Sequence, residues 1–97
     1  MACTVILELN VKSDSADAVA EGFKSMFPDT RSYDGCIDVY ATRNQDNPNH
    51  FLLVETWESR AKYENYLAWR TERGDMDNMA AVLDGEPSIR FLNRIGA

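Results

Sequence analysis

The sequence lacks the residues from which most metal and cofactor sites are built. It has one histidine, His50, and two cysteines, Cys3 and Cys36, that show no metal-binding spacing. Its five glycines form neither a dinucleotide-binding GxGxxG nor a P-loop, and the chain has no GxSxG motif. We therefore expect neither a bound metal nor a cofactor.

Positive charge and long apolar runs are also scarce. Ten Lys and Arg residues face sixteen Asp and Glu residues, which gives a net charge of −6, and no basic cluster is present. Because phosphate contacts need Lys and Arg, we expect neither nucleic acid nor an anionic membrane as a partner. No segment has the length of a membrane span, and the N-terminus lacks the basic start of a secretory signal. These features predict a reduced, cytoplasmic protein.

The length and the hydrophobic periodicity predict one domain over residues 1–97. Alternation predicts the strands, and apolar residues at spacings of three and four predict the helices. In chain order we predict a strand over Thr4–Lys12, a helix from Ala16 that Pro28 ends, strands over Ile37–Asn44 and His50–Trp57, a helix over Arg60–Arg73, a short helix from Asp75 that Gly85 and Pro87 end, and a strand over Ser88–Ile95. Capping is expected from Ser13–Ser15 and from Ser59.

This β-α-β-β-α-β order predicts an α+β, ferredoxin-like fold with an antiparallel sheet and its helices on one face. The third strand is apolar on both sides, with Phe51 and Leu53 on one and Leu52 and Val54 on the other. A sheet with one face in water is not built this way. We therefore expect a homodimer in which two sheets pack face to face.

Arg70 is the most unusual residue of the second helix. On a helical wheel it falls within the apolar arc, close to Tyr63 and Tyr66, where an unpaired charge is costly. Glu55 is the candidate partner, because it shares a strand face with Trp57. Either the ion pair only fixes the helix on the sheet, or the guanidinium binds an anionic or enolic ligand.

Trp57 and Tyr63 lie six residues apart, where the third strand turns into the second helix. They are either ordinary core aromatics or the wall of a site for a flat aromatic ligand. His50 begins a strand beside a polar loop and is expected to be exposed. Cys36 has no activating neighbour in the sequence and is expected to serve packing.

The run FLLVETWESRAKYENYLAWR and the Gly35-Cys36 turn before the second strand resemble the antibiotic biosynthesis monooxygenase family. The resemblance extends over about residues 4 to 95. It implies a homodimer of ferredoxin-like subunits, a dimeric α+β barrel, with a pocket between sheet and helices in each subunit.

The resemblance also implies a chemistry. Some members oxidise polycyclic phenols with O₂ and no cofactor, because the deprotonated substrate itself reduces O₂. A Trp and a Tyr six residues later line that site, as Trp57 and Tyr63 do here, while Leu53 replaces an Asn of that branch. Arg70 would stabilise the substrate anion. The residues expected to bind the aromatic or enolic substrate are Phe23, Leu53, Glu55, Tyr66 and Met79.

Other activities remain to be compared with this one. The heme-degrading branch uses an Asn on the first strand and a Trp and a His on the second helix. Here Leu7 and Tyr66 replace the first two and that helix has no His, so heme breakdown is not expected. Two alternatives stay open: a non-catalytic dimer that binds a small ligand, and an isomerase or decarboxylase of a related barrel family with Glu55 as its base.

Overall fold

The computed structural model describes residues 2–96, which fold into four strands and three helices. In chain order these are β1 (Cys3–Asn10), α1 (Ala16–Ser32), β2 (Cys36–Arg43), β3 (His50–Trp57), α2 (Arg60–Glu72), α3 (Asp75–Ala80) and β4 (Ser88–Leu92). The strands form one antiparallel sheet in the order β2-β3-β1-β4. The predicted ferredoxin-like fold is confirmed. None of the helices within residues 2–96 is long and apolar enough to cross a membrane.

The two faces of the sheet differ in burial. Alternate β3 side chains, including Phe51, Leu53 and Trp57, are buried against the helices. The β3 side chains between them point to the other face and are half-buried. On that outer face Tyr40 pairs with Val54 across the strands and is exposed, as is Leu92 of β4. The second apolar face expected of β3 is therefore present.

Helix α1 continues past Pro28 to Ser32, so the prediction that this proline ends it was wrong. Proline in a helix interior removes one backbone hydrogen bond and crowds the carbonyl four residues earlier, at a cost of about 3 kcal/mol, so other contacts must offset it. Tertiary contacts hold the turn that follows. Thr30 is buried and its hydroxyl lies 2.8 Å from the Tyr66 hydroxyl, and Arg31 Nη2 donates to the Val39 carbonyl at 3.1 Å.

Three other boundaries differ from the prediction by two residues or more, and the rest agree within one residue. Strand β1 ends at Asn10, because the next residues bond to the segment after α3: Lys12 N donates to the Val82 carbonyl at 2.9 Å. Helix α3 ends at Ala80, well before Gly85, and β4 ends at Leu92.

The two predicted helix starts also have different outcomes. Ser59 caps α2, since its Oγ accepts the Lys62 N–H at 3.2 Å, as predicted. Ser15 precedes α1 without making a side-chain cap, because its hydroxyl donates to Asp14 instead. The expected cap at α1 was therefore wrong for this side chain.

Gly35 sets the distance between β2 and α2. Its φ of 95° lies in the left-handed region, and an added Cβ would sit 2.5 Å from Lys62 Cβ. Its carbonyl also accepts the Glu58 N–H at 2.8 Å, just before α2 begins. The turn therefore needs glycine both for its backbone conformation and for the close approach of the helix.

Gly35→Ala should lower the free energy of unfolding by about 2–4 kcal/mol, because backbone strain adds to the clash with Lys62. The matched control is Gly74→Ala, which has a similar φ of 84° but nothing within 4 Å of the added Cβ. That control should lose only about 1 kcal/mol. Urea unfolding measures both values, and equal losses would contradict a close approach at Gly35.

Candidate active site

The sheet and the helices enclose a cavity of about 310 Å³. The sheet supplies Leu7, Leu9 and Leu53 to its lining. The helices supply mainly apolar side chains, which are Phe23, Met26 and Phe27 of α1, Leu67 of α2, and Met76, Met79 and Ala80 of α3. Among the residues that line it, the ionisable side chains are Glu55, Glu86 and two tyrosines. The volume lies at the small end of the range for ligand sites, about 300–1,000 Å³. A one- or two-ring ligand suits this space.

Glu55 is the buried carboxyl on the sheet side of the cavity. It lies on β3 between Leu53 and Trp57, and only 4% of it is exposed. Its Oε1 accepts the Trp57 Nε1–H at 3.0 Å. Burial raises the pKa of this carboxyl to about 7, with the Trp57 hydrogen bond acting in the opposite direction. Glu55 therefore takes up and releases a proton near neutrality, which suits a general base or acid.

Arg70 is buried as expected, but its predicted ion pair with Glu55 was wrong. Its Nη1 donates to Asp75 Oδ2 at 3.0 Å, and its Nε donates to the Tyr66 hydroxyl at 2.9 Å. Its Nη2 donates to the Met26 carbonyl and to Thr30 Oγ1, both at 3.1 Å. The Gly74 turn between α2 and α3 brings Asp75 within reach of the guanidinium.

These contacts direct Arg70 away from the cavity. Its side chain is not among those that line the cavity, and its three guanidinium nitrogens each donate to a group of α1, α2 or α3. A direct contact between Arg70 and a ligand is therefore not what this geometry favours. The guanidinium can reach a ligand only through Tyr66 or Thr30, which both line the cavity.

The remaining predicted site residues fall into two groups. Trp57 is fully buried and lies behind the cavity wall, where its ring packs 5.6 Å from Tyr63 and 5.0 Å from Tyr66, measured between centroids. The others line the cavity: Phe23, Leu53, Glu55, Tyr63, Tyr66 and Met79. The structure thus brings them to one place, while their roles toward a substrate stay predictions.

The predicted site residues omitted Met26, Phe27 and Thr30, which belong to α1 and line the cavity. Thr30 was excluded when the helix was expected to end at Pro28, although its spacing of three from Phe27 would have placed it on the buried face.

His50, expected to be exposed, is half-buried. It bonds to Glu8 Oε2 at 2.7 Å on the outer face of the sheet.

Metal-binding geometry is not found in the part of the chain that the structure describes: no three His, Cys, Asp or Glu side chains there are grouped to hold an ion. The two thiols lie on either side of β3, since Cys3 and Cys36 both pair with Trp57. Burial raises the pKa of the Cys36 thiol to about 11. An unreactive packing role agrees with this value.

Comparisons with known proteins identify one family. The family profile described as "Antibiotic biosynthesis monooxygenase" matches residues 2–71. No curated protein sequence matches the chain significantly.

Several solved structures share the fold at low sequence identity. One is described as an antibiotic biosynthesis monooxygenase, with a TM-score of 0.86, 19% identity, and coverage of 96% of this chain and 98% of the other. A conserved protein from Methanosarcina mazei Go1 has a TM-score of 0.87 and 20% identity, with coverage of 97% of this chain and 93% of the other. A protein of unknown function from Nitrosomonas europaea has a TM-score of 0.83 and 20% identity, with coverage of 99% of this chain and 91% of the other. At these identities the likeness shows the fold alone.

Burial of Glu55 should make stability depend on pH. Its pKa rises from 4.5 to about 7 on folding, so the protonated form is favoured in the folded state. The stabilisation is complete below the unfolded pKa and is lost as the pH rises through the folded pKa, a change of about 3 kcal/mol. Relative to Glu55→Gln, the wild type should therefore lose stability between about pH 5 and pH 8.

Chemical unfolding across this pH range measures the difference. Gln keeps an oxygen for the Trp57 N–H but cannot ionise. The matched control is Glu58→Gln, three residues further on and exposed, which should run parallel to the wild type. Parallel curves for wild type and Glu55→Gln would mean that the Glu55 pKa is not raised.

Proposed function

The chain belongs to the antibiotic biosynthesis monooxygenase family, and from this we propose that it is a cofactor-independent monooxygenase. Its substrate would be a small aromatic, quinol-like or enolic compound that binds in the cavity and is oxidised by O₂. The observation that carries the proposal is Glu55, a buried carboxyl with a pKa of about 7 on the wall of an apolar cavity.

The first step is a proton transfer from the substrate to Glu55. The O–H bond of a phenol or enol breaks, the carboxylate takes the proton, and the substrate becomes an electron-rich anion. Oxidation of that anion by O₂ forms a carbon–oxygen bond, and the second oxygen atom leaves as water. For a phenol with a ring hydrogen at the reacting carbon, the net change is phenol plus O₂ to quinone plus water.

The surrounding residues support this step in different ways. Trp57 fixes the carboxyl by donating its indole N–H to Oε1 at 3.0 Å, and so acts behind the cavity wall. Tyr63 lines the cavity and would contact the ring of the substrate. Because the other walls are largely apolar, a bound substrate would displace water from them, and its charge would interact more strongly with nearby dipoles.

A homodimer is part of the proposal. The outer face of the sheet presents Ile6, Leu52 and Val54, which are half-buried, together with the exposed Tyr40 and Leu92. A second sheet packed about 10 Å away would cover these side chains. A reduced cytoplasmic protein also remains our expectation, because both cysteines are free and two strand spacings separate them.

Glu55 also favours a second candidate, an isomerase or decarboxylase. A carboxyl with a pKa near neutrality can remove a proton from carbon next to a carbonyl without any oxidant. The two candidates share the base and differ in whether O₂ is consumed. A protein that binds such compounds without changing them is the third outcome.

Oxygen uptake separates these functions. With a panel of naphthols and quinols that carry a hydrogen at the reacting carbon, the wild type should consume one O₂ for each oxygenated quinone formed and release no hydrogen peroxide, in the presence of a chelator. Glu55→Gln should lose roughly 10²–10⁴-fold in rate, since it cannot accept the proton, whereas Glu58→Gln should keep the wild-type rate. Isomerised product without O₂ uptake would favour the second candidate, and binding without any product would favour the ligand-binding protein.

Sedimentation tests the dimer. The wild type should sediment at twice the 11.0 kDa of one chain at micromolar concentration. Val54→Lys should shift it to the monomer, because a buried unpaired ammonium is costly in a face-to-face contact. Ala68→Lys adds the same charge on the exposed side of α2 and should leave the dimer intact. A wild type that stays monomeric would contradict this part of the proposal.

A further inference from the structure

Two hydroxyl groups meet on the helix side of the cavity. Tyr66 comes from α2 and Thr30 from α1, both line the cavity, and their oxygens lie 2.8 Å apart. Both residues are buried, with Thr30 only 1% exposed. Glu55 belongs to the sheet side of the same cavity. The residues that line the cavity thus include a carboxylic acid on the sheet side and two residues with hydroxyl groups on the helix side.

The protons of this pair can be arranged in two ways. Arg70 donates to both oxygens, from Nε to Tyr66 and from Nη2 to Thr30, and so occupies one acceptor position on each. Each hydroxyl has one proton of its own to donate. In one arrangement Tyr66 donates to Thr30, and Thr30 donates to the Met26 carbonyl at 3.4 Å. In the other, Thr30 donates to Tyr66, and the Tyr66 proton is free to bind a group in the cavity.

Changing from the first arrangement to the second costs little hydrogen-bond free energy. The bond that is given up, from Thr30 to the Met26 carbonyl, is long at 3.4 Å and therefore weak. The Met26 carbonyl keeps its bond from Arg70 Nη2 at 3.1 Å, so no buried acceptor is left without a partner. Rotation of the two hydroxyl groups, of Thr30 and of Tyr66, is sufficient, and no heavy atom has to move.

We infer that Tyr66 donates a hydrogen bond to an oxygen of the ligand, and that Thr30 and Arg70 position its hydroxyl for this. The inference rests on the proposed function, since it concerns the same cavity. Burial raises the pKa of Tyr66, which keeps the phenol protonated and able to donate. Arg70 never touches the ligand. Its Nε–H occupies one acceptor position of the Tyr66 oxygen, so the Tyr66 proton points away from the guanidinium.

A base on one wall and a donor on another select a class of ligand. The ligand carries an acidic hydroxyl toward Glu55 and a carbonyl oxygen toward Tyr66, joined by a conjugated ring. When the hydroxyl loses its proton to Glu55, the O–H bond breaks and the negative charge spreads to the carbonyl oxygen. The Tyr66 hydrogen bond strengthens at that moment, because its acceptor becomes anionic. Nothing is oxidised in this step.

Four bicyclic probes test the assignment without requiring turnover. A hydroxytetralone with its hydroxyl para to the carbonyl offers both groups, tetralone offers only the carbonyl, tetrahydronaphthol offers only the hydroxyl, and tetralin offers neither. Calorimetry should show that Tyr66→Phe weakens the two carbonyl probes by about tenfold and leaves tetrahydronaphthol unchanged. An equal loss for every probe would mean that Tyr66 is only structural, and would overturn the inference.

The positioning role of Thr30 has a matched pair of variants. Thr30→Val removes the hydroxyl at nearly constant volume, and Thr30→Ser keeps it. Bound hydroxytetralone should show the long-wavelength absorption of its anion in the wild type and in Thr30→Ser. In Thr30→Val the apparent pKa of the bound probe should rise, because the Tyr66 oxygen loses the hydrogen bond from Thr30 that polarises its O–H and fixes its direction. The same pKa in both variants would contradict the role given to Thr30.

Two further results test the inference: the binding of the probes to the wild type alone, and its combination with the O₂-uptake measurement. If Tyr66→Phe does not fold, the wild type alone gives the answer, since tetralone should bind about tenfold more tightly than tetralin. Equal binding of these two, or no binding of any probe, overturns the inference. Carbonyl-selective binding without O₂ uptake would leave the inference standing and contradict the monooxygenase. O₂ uptake without carbonyl selectivity would contradict the inference alone.

Discussion

The hydrogen bonds of the Arg70 guanidinium hold the helices around the cavity. This side chain starts from α2 and bonds to Met26 and Thr30 of α1 and to Asp75 of α3. A buried cation is tolerated only when its N–H groups have partners, and here at least four of its hydrogen bonds are made. The helix side of the cavity therefore depends on one charged side chain, whose guanidinium nitrogens have hydrogen-bond partners within the protein.

Glu55 is buried to a similar extent but is satisfied differently. Its one hydrogen bond from protein in the described chain comes from the Trp57 indole, and no basic side chain bonds to it there. The desolvation of the carboxylate is relieved by uptake of a proton instead, which is why its pKa rises toward neutrality. In the proposed function the domain thus separates two tasks: Arg70 supports the cavity, and Glu55 is the proton acceptor inside it.

The sequence predicted the parts of the site that depend on local periodicity. Strict alternation placed Glu55 on the buried face of β3, and the helical wheel placed Arg70 among aromatic side chains. The partner of Arg70 could not be read in the same way, because Asp75 reaches it only through the left-handed turn at Gly74. Thr30 was missed because tertiary contacts carry α1 past Pro28, against the local preference of proline.

The account depends most on the ionisation of Glu55, and a carboxyl-carbon NMR titration of the ligand-free protein measures it directly. Selective labelling of glutamate, with Glu55→Gln to assign the resonance, gives the pKa of this group without a substrate. The account predicts a midpoint near pH 7. A midpoint near 4.5, the ordinary value for a glutamate, would show that the carboxyl is well solvated and would contradict its role as the base.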